Sequence, residues 1–152
     1  MARIHYLTQI EIDHGAVACL PEECARVGMK KPLVVTDAGV RAAGVLDIAL
    51  KALGALPHAV FDQTPSNPTE AAVRAAVEVY KAQGCDGLIA VGGGSSIDLA
   101  KGVAILATHP GVLKTYATIE GGSPKITEAV APLIAVPTTA GTGSEVARGA
   151  II

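Results

Sequence analysis

The sequence is poor in aromatic residues and has no apolar run long enough to span a membrane. Aromatic residues make up 3% of the 152 residues, whereas half of all residues are apolar. The interior must therefore be built from Ala, Val, Leu and Ile, which is typical of a parallel sheet covered by helices. A membrane-spanning helix needs roughly 20 consecutive apolar residues, so we expect no membrane partner.

Charge of one sign is not concentrated anywhere along the chain. The formal net charge is −2, and Lys and Arg are scattered. Because nucleic acids and anionic surfaces are bound by basic patches, we expect no nucleic-acid partner. The length is that of one domain with a sizeable core.

Cysteine and histidine are few, and their spacing predicts neither disulfides nor a metal site. Cys19, Cys24 and Cys85 are odd in number, form no C-x-x-C pair and follow no apolar signal segment. We therefore expect reduced thiols in a cytoplasmic protein. The four histidines never stand three or four residues apart, so no metal ligand is assigned.

The most informative stretch is the glycine-rich sequence at residues 92–98. An apolar run at residues 87–91 predicts a buried strand before it, and residues 99–107 predict a helix after it. Three consecutive glycines, Gly92 to Gly94, let a ligand approach the backbone closely. The unpaired N–H groups and the positive dipole end of the following helix favour an anion, most naturally a phosphate.

Two known phosphate-binding motifs do not fit this stretch. Ile97 stands where the dinucleotide fingerprint has its third glycine, and Lys101 is too distant for a Walker loop. We predict Ser95 as the helix N-cap, with Asp98 as the acidic member of a capping box. The alternative is that the glycines only make a tight turn and that Ser95 and Asp98 only cap the helix.

Alternating strand and helix patterns predict an α/β fold, a Rossmann-like parallel sheet with helices on both faces. Helices are expected at residues 21–27, 40–53 and 68–83, and further strands at residues 33–36, 59–61 and 131–136. Asn67 is the predicted N-cap of the helix at 68–83, ahead of Pro68 and Glu70. The alternation at residues 4–6 and 10–12 is typical of two short strands or an edge hairpin.

Two further sequence features lie at the ends of predicted strands. Asp37 follows the strand at 33–36, where a dinucleotide-binding fold places the carboxylate that accepts hydrogen bonds from the adenosine ribose. Alternatively, Asp37 only caps the next helix. Residues 137–145 form a loop rich in glycine and hydroxyl groups, suited to a nucleobase, sugar or phosphate edge, or else simply a wide turn.

Together these stretches resemble the iron-containing (group III) alcohol dehydrogenase family. Its two loop motifs match residues 92–98 with Ala100-Lys101 and residues 137–146. Thr36-Asp37-x-Gly39 and Pro65-x-Asn67-Pro68-Thr69 match as well, so four motifs occur in the family's order. The resemblance implies the N-terminal nucleotide-binding domain of that family, with NAD as cofactor.

The resemblance also implies which residues bind NAD. Asp37 would accept hydrogen bonds from the adenosine ribose and disfavour NADP, and Asp98 would lie near the nicotinamide ribose. Gly93, Gly94 and Ser95 would hold the pyrophosphate. The remaining cofactor-binding residues are Asn67, from the matching motif, and the three that would line the adenine and nicotinamide-phosphate side, Thr138, Thr139 and Thr142.

The same resemblance implies hydride transfer between NAD and a small alcohol or hydroxy acid. It also implies a divalent metal, usually iron, held by one aspartate and three histidines of a helical C-terminal domain. The chain ends before such a domain, so we expect residues 1–152 to be the NAD-binding domain of a longer two-domain enzyme, without catalytic or metal-binding residues of its own. We expect a homodimer or a larger homo-oligomer. Alternatives are a maleylacetate-reductase-like or dehydroquinate-synthase-like enzyme, or a non-catalytic nucleotide-binding module.

Overall fold

A computed structural model describes residues 8–152, in which helices and strands alternate. The helices are α1 Leu20–Arg26, α2 Ala38–Ala42, α3 Val45–Leu53, α4 Glu70–Ala82 and α5 Gly94–Leu106. The strands are β1 Pro32–Val35, β2 Ala59–Phe61, β3 Gly87–Gly92 and β4 Leu133–Pro137. Short 3-10 turns lie at Ala16–Cys19, Leu113–Tyr116, Thr118–Glu120 and Ser123–Lys125.

All four strands are parallel and form one sheet in the order β2-β1-β3-β4. Successive residues of the two central strands face opposite sides. Leu33 and Leu88 pack with α4 and α5, whereas Val34 and Ile89 pack with α1 and α3. Helices therefore cover both faces of the sheet, and the predicted α/β fold is confirmed.

The order of the strands creates a crevice between β1 and β3. The chain leaves β1 toward β2 on one side and then crosses back to β3 on the other. The carboxyl ends of β1 and β3 lie side by side, with Val35 paired to Ala90. In open parallel sheets, ligands bind where the direction of crossover reverses in this way.

The four strands predicted from residue 33 onward are confirmed to within two residues, but two predicted helix starts are wrong. Helix α5 begins at Gly94 with Gly93 as its N-cap, so Ser95 is not the cap. Helix α4 is capped by Thr69, whose extended backbone lets its hydroxyl accept from the Ala72 N–H at 3.2 Å. Asn67 lies two residues before that cap.

The helix predicted at residues 40–53 is two helices rather than one. Gly44 has a φ of +72° between α2 and α3, a backbone conformation that interrupts a right-handed helix. The proposed strand at residues 4–6 lies outside the described residues. Residues 10–12 form no strand, and Ile10 and Ile12 are 49% and 88% exposed, so no partner strand covers them within residues 8–152. None of the helices in that range is long and apolar enough to cross a membrane.

Candidate functional site

The glycine loop, residues 92–94, joins β3 to α5 beside the crevice. A Cβ on Gly92 would lie 2.4 Å from Ser96 Oγ, and a Cβ on Gly94 would lie 3.0 Å from Ser144 Oγ. Gly93 would meet Thr139 Oγ1 at 3.3 Å. Close packing within the protein therefore accounts for part of the glycine content, chiefly at Gly92.

The N-terminus of α5 offers unpaired N–H groups at this loop. Ile97 donates its N–H to the Gly93 carbonyl at 3.2 Å, whereas those of Gly94, Ser95 and Ser96 have no acceptor among residues 8–152. Ser95 Oγ donates to the Ser66 carbonyl at 2.5 Å, which connects α5 to the loop after β2. Free amides at the positive end of a helix can bind an anion.

Asp37 lies at the carboxyl end of β1, directly beside the glycine loop. Its Oδ1 accepts from the Val40 N–H at 2.9 Å and caps α2, and its Oδ2 accepts from Ser96 Oγ at 3.3 Å. A carboxylate has about four acceptor positions, so a capping carboxylate can still accept from a ligand. Capping and ligand binding, the two alternatives for Asp37, are therefore compatible.

The threonine loop, residues 137–145, packs against the glycine loop. Thr138 donates its N–H to the Gly92 carbonyl at 3.0 Å. Thr139 lies beside Gly93, and Thr142 Cβ is 3.3 Å from the position that a Cβ on Gly94 would take. The three predicted threonines thus all lie next to the glycine loop, where their side chains are exposed.

Asp98 is not the capping-box partner of Ser95, which is a correction to the sequence-based expectation. It is 8% exposed on the second turn of α5. Its Oδ1 is 3.3 Å from Lys101 Nζ and its Oδ2 accepts from the Ile151 N–H at 3.0 Å. Lys101 Nζ also donates to the carbonyls of Ser144 at 2.6 Å and Gly149 at 2.7 Å. The pair therefore attaches residues 144–151 to α5.

The predicted site residues fall into two groups. Asp37, the glycine loop, Ser95 and the threonine loop meet at one end of the sheet. Asn67 is exposed in the adjoining loop after β2, and Asp98 is occupied by Lys101 and Ile151. Ser96, which contacts Asp37, was not among the predicted site residues, although a small polar residue in the first turn after the glycines was a usable signal.

Two buried hydroxyl groups lie near the ends of β1 and β2. Thr36 Oγ1 and Thr64 Oγ1 have no hydrogen-bond partner among the described residues. The backbones of these two threonines are joined, because Thr64 donates its N–H to the Thr36 carbonyl at 3.3 Å. This contact fixes the start of the loop that contains Ser66 and Asn67.

Within residues 8–152, no three His, Cys, Asp or Glu side chains converge as a metal site. His109 is buried, and its Nε2 accepts from the Thr127 N–H at 2.9 Å. Cys24 and Cys85 are free and buried, and burial raises the pKa of both thiols. These groups contribute to packing on either face of the sheet.

Comparison with known proteins identifies relatives of the whole described chain. The family model described as "Iron-containing alcohol dehydrogenase" matches residues 8–152. A 4-hydroxybutyrate dehydrogenase of Cupriavidus necator is 68% identical over 152 residues, which are all of this chain and 40% of that protein. A choline dehydrogenase of Bacillus subtilis is 41% identical over 147 residues, 95% of this chain and 36% of that protein.

Solved structures agree with these matches. A 1,3-propanediol oxidoreductase superposes with a TM-score of 0.79 at 40% identity, over 88% of this chain and 34% of that one. A sulfoacetaldehyde reductase from Bifidobacterium kashiwanohense, solved in complex with NAD+, gives a TM-score of 0.75 at 28% identity, over 87% of this chain and 34% of that one. The chain thus spans 36% and 40% of the length of the two curated relatives named above.

Proposed function

The chain belongs to the iron-containing alcohol dehydrogenase family, and on that premise we propose that it is the NAD-binding domain, residues 1–152, of a longer dehydrogenase. The reaction is hydride transfer between NAD and a small alcohol or hydroxy acid, with 4-hydroxybutyrate the first substrate to test. The identity of 68% to a 4-hydroxybutyrate dehydrogenase supports that substrate. The observation that carries the proposal is that Asp37, which accepts from the Ser96 hydroxyl, lies at the end of α5 that offers unpaired amides in the crevice.

The pyrophosphate of NAD would lie against the N–H groups of Gly94 and Ser95. The positive end of the α5 dipole stabilises its negative charge. Thr138, Thr139 and Thr142 would flank it, because the threonine loop packs on the glycine loop. When bound, NAD supplies the nicotinamide carbon that accepts the hydride. Asp98, on the second turn of α5, and Asn67, in the loop after β2, complete the proposed contacts.

Asp37 would determine the choice between NAD and NADP. Its carboxylate can accept a hydrogen bond from a ribose hydroxyl, whereas it repels the additional phosphate of NADP. Arg41, one turn further along, forms an ion pair with Asp62. That guanidinium is therefore already engaged, although an arginine in this region is the group that could accommodate the phosphate of NADP.

Metal chemistry is not assigned to residues 8–152, because the residues present there do not form a metal site. The iron of the family name would need ligands from elsewhere in a longer protein. We further propose that the enzyme is cytoplasmic, that it forms a homodimer or a larger homo-oligomer, and that nucleic acid is not among its partners. The reduced thiols and the scattered charge support the location and the lack of a nucleic-acid partner.

Binding of NADH and NADPH to the wild-type protein and to Asp37→Ala tests the proposal. We expect NADH to bind at least about tenfold more tightly than NADPH, a difference of about 1.4 kcal/mol, and the substitution to remove most of that preference. Nucleotide fluorescence titration measures both dissociation constants. Asp47→Ala, an exposed carboxylate in the first turn of α3, is the matched control and should keep the wild-type preference. Equal affinities for the two nucleotides in the wild-type protein would contradict the proposal.

A further inference from the structure

We infer that Ser96 is a positioning residue that sets the preference for NAD by fixing the Asp37 carboxylate. The inference rests on the proposed function, in which Asp37 faces the adenosine ribose. It assigns a role to a residue of the glycine-rich motif that was not among the predicted cofactor-binding residues, and it gives that residue an effect on selectivity through Asp37 alone.

Ser96 is held in a closely packed position between the two strand ends. Its side chain is 0% exposed, and its Oγ is 3.3 Å from Asp37 Oδ2. A Cβ on Gly92 would lie 2.4 Å from Ser96 Oγ and 2.7 Å from Ser96 Cβ. The missing side chain of Gly92 therefore provides the room that the serine occupies.

The two oxygens of Asp37 are restrained by separate elements. Oδ1 accepts from the Val40 N–H of α2, and Oδ2 accepts from the Ser96 hydroxyl of α5. With one bond alone, the carboxylate could rotate about its terminal torsion, which has a broad energy profile. With both bonds, the remaining acceptor positions point in fixed directions, so a ribose hydroxyl binds without an added ordering cost.

The hydroxyl and the amide of Ser96 serve different purposes. The Ser96 N–H is among the unpaired amides at the start of α5, whereas the side chain is directed to Asp37. Ser96→Ala removes the hydroxyl and keeps the amide. Its effect should therefore fall on the ribose end of the dinucleotide and leave phosphate binding intact.

A double-mutant cycle on the intact protein tests the inference. Dissociation constants for NADH and NADPH are measured by fluorescence titration for the wild type, Ser96→Ala, Asp37→Ala and the double variant. We expect Ser96→Ala to reduce the ratio of NADH to NADPH affinity by about 5-fold, consistent with the loss of one typical hydrogen bond. In the Asp37→Ala background the same substitution should leave the ratio unchanged.

Two further variants keep the result interpretable. Ser96→Cys fills nearly the same volume with a weaker donor, so an intermediate loss of selectivity is expected. Thr64→Val removes a buried hydroxyl that has no partner among residues 8–152, and it should keep the wild-type ratio. Thermal melting of each variant reports whether it is folded.

The outcomes separate this inference from the proposed function. An unchanged ratio in Ser96→Ala, or an equal loss in the Asp37→Ala background, would overturn the role of Ser96 while NAD binding stands. A wild-type protein that binds neither nucleotide would overturn the proposed function and, with it, this inference.

Discussion

Lys101 connects the helix after the glycine loop to the segment that follows the threonine loop. Its ammonium group contacts Asp98 and two backbone carbonyls, and its side chain is 13% exposed. Burial makes such contacts stronger than those of an exposed pair and makes the loss of one partner costly. Through Ser144, whose Oγ lies against Gly94, the lysine also restrains the position of the threonine loop.

We predict that Lys101→Met weakens NADH binding by about tenfold and lowers the midpoint of thermal unfolding. The substitution leaves Asp98 buried without its cation, and a carboxylate in that position costs several kcal/mol to keep charged. Fluorescence titration and thermal melting measure the two effects. Lys114→Met is the matched control, because Lys114 is exposed and forms an ion pair with Glu120 at 3.5 Å; a change of equal size there would contradict a specific role for Lys101.

Single residues also show where sequence-based prediction stops. The position of Asp37 beside the glycine loop follows from strand patterns and parallel connections, because both strand ends meet at one edge of the sheet. The contact of Asp98 with the Ile151 N–H could not be predicted, since Ile151 is 53 residues away in the sequence. Ser95 has the sequence signature of an N-cap, yet its hydroxyl donates to Ser66 in another loop. Hydrogen bonds between distant loops leave no local pattern.

At the scale of elements, the contact between α4 and α5 depends on a glycine. A Cβ on Gly102 would lie 3.0 Å from Val73 Cγ2 on α4 and 2.6 Å from Ile152 Cδ1. Alanine has the higher helix propensity by about 1 kcal/mol. Overpacking a buried helix contact costs about 1–3 kcal/mol, and this cost outweighs the gain in propensity.

We therefore expect Gly102→Ala to lower the free energy of unfolding by about 1 kcal/mol. Urea unfolding followed by circular dichroism measures it. At Gly149 an added Cβ meets nothing within 4 Å, and φ is not positive. Gly149→Ala is thus the control and should leave stability within about 0.5 kcal/mol of the wild type. A more stable Gly102→Ala variant would show that the two helices separate without cost.

The types of element were predictable, but their boundaries were less so. Runs of β-branched residues identified the strands, and glycines marked helix ends such as Gly54 and Gly84. The break at Gly44 was missed because the apolar pattern continues from α2 into α3, and only the left-handed backbone at this glycine separates them. The start of α4 was missed because two successive residues, Pro68 and Thr69, both suit a helix N-terminus.

At the scale of the whole molecule, buried ionisable groups on both faces of the sheet lower the free energy of unfolding at alkaline pH. Burial raises the pKa of Tyr80 to about 12 from its ordinary value of 10.0, and the charges of Asp86 and Cys85 contribute. Burial likewise raises the pKa of Cys24 and Cys85 above 9.0. Each group is neutral in its buried site, so ionisation favours the unfolded chain.

We predict that the contribution of Tyr80, Cys24 and Cys85 to stability changes little below about pH 9 and is lost as the pH rises toward about 12. A group whose pKa is raised by folding contributes its full stabilisation at pH values below its pKa in the unfolded chain. That stabilisation is lost as the pH rises through its pKa in the folded protein. Urea unfolding at pH 8, 10 and 11.5 measures how the free energy of unfolding changes with pH. Tyr80→Phe should reduce the loss of stability between pH 10 and 11.5. The same pH dependence of the free energy of unfolding in that variant would exclude Tyr80 as a cause.

The overall topology was partly predictable. Strands that alternate with helices require crossover connections, which give a parallel sheet. The order β2-β1-β3-β4 depends on which side of β1 each crossover takes, and local patterns do not encode that choice. The location of the crevice therefore became definite only with the structure.

The alternation of residues between the two apolar clusters has a consequence for the crevice. Slipping β1 or β3 by one position would exchange its contributions to the two clusters, so the core itself sets the alignment of the strand tips. That alignment determines the distance between Asp37 and Gly92. Core mutations that disturb this alignment should therefore weaken the proposed nucleotide binding before they unfold the protein.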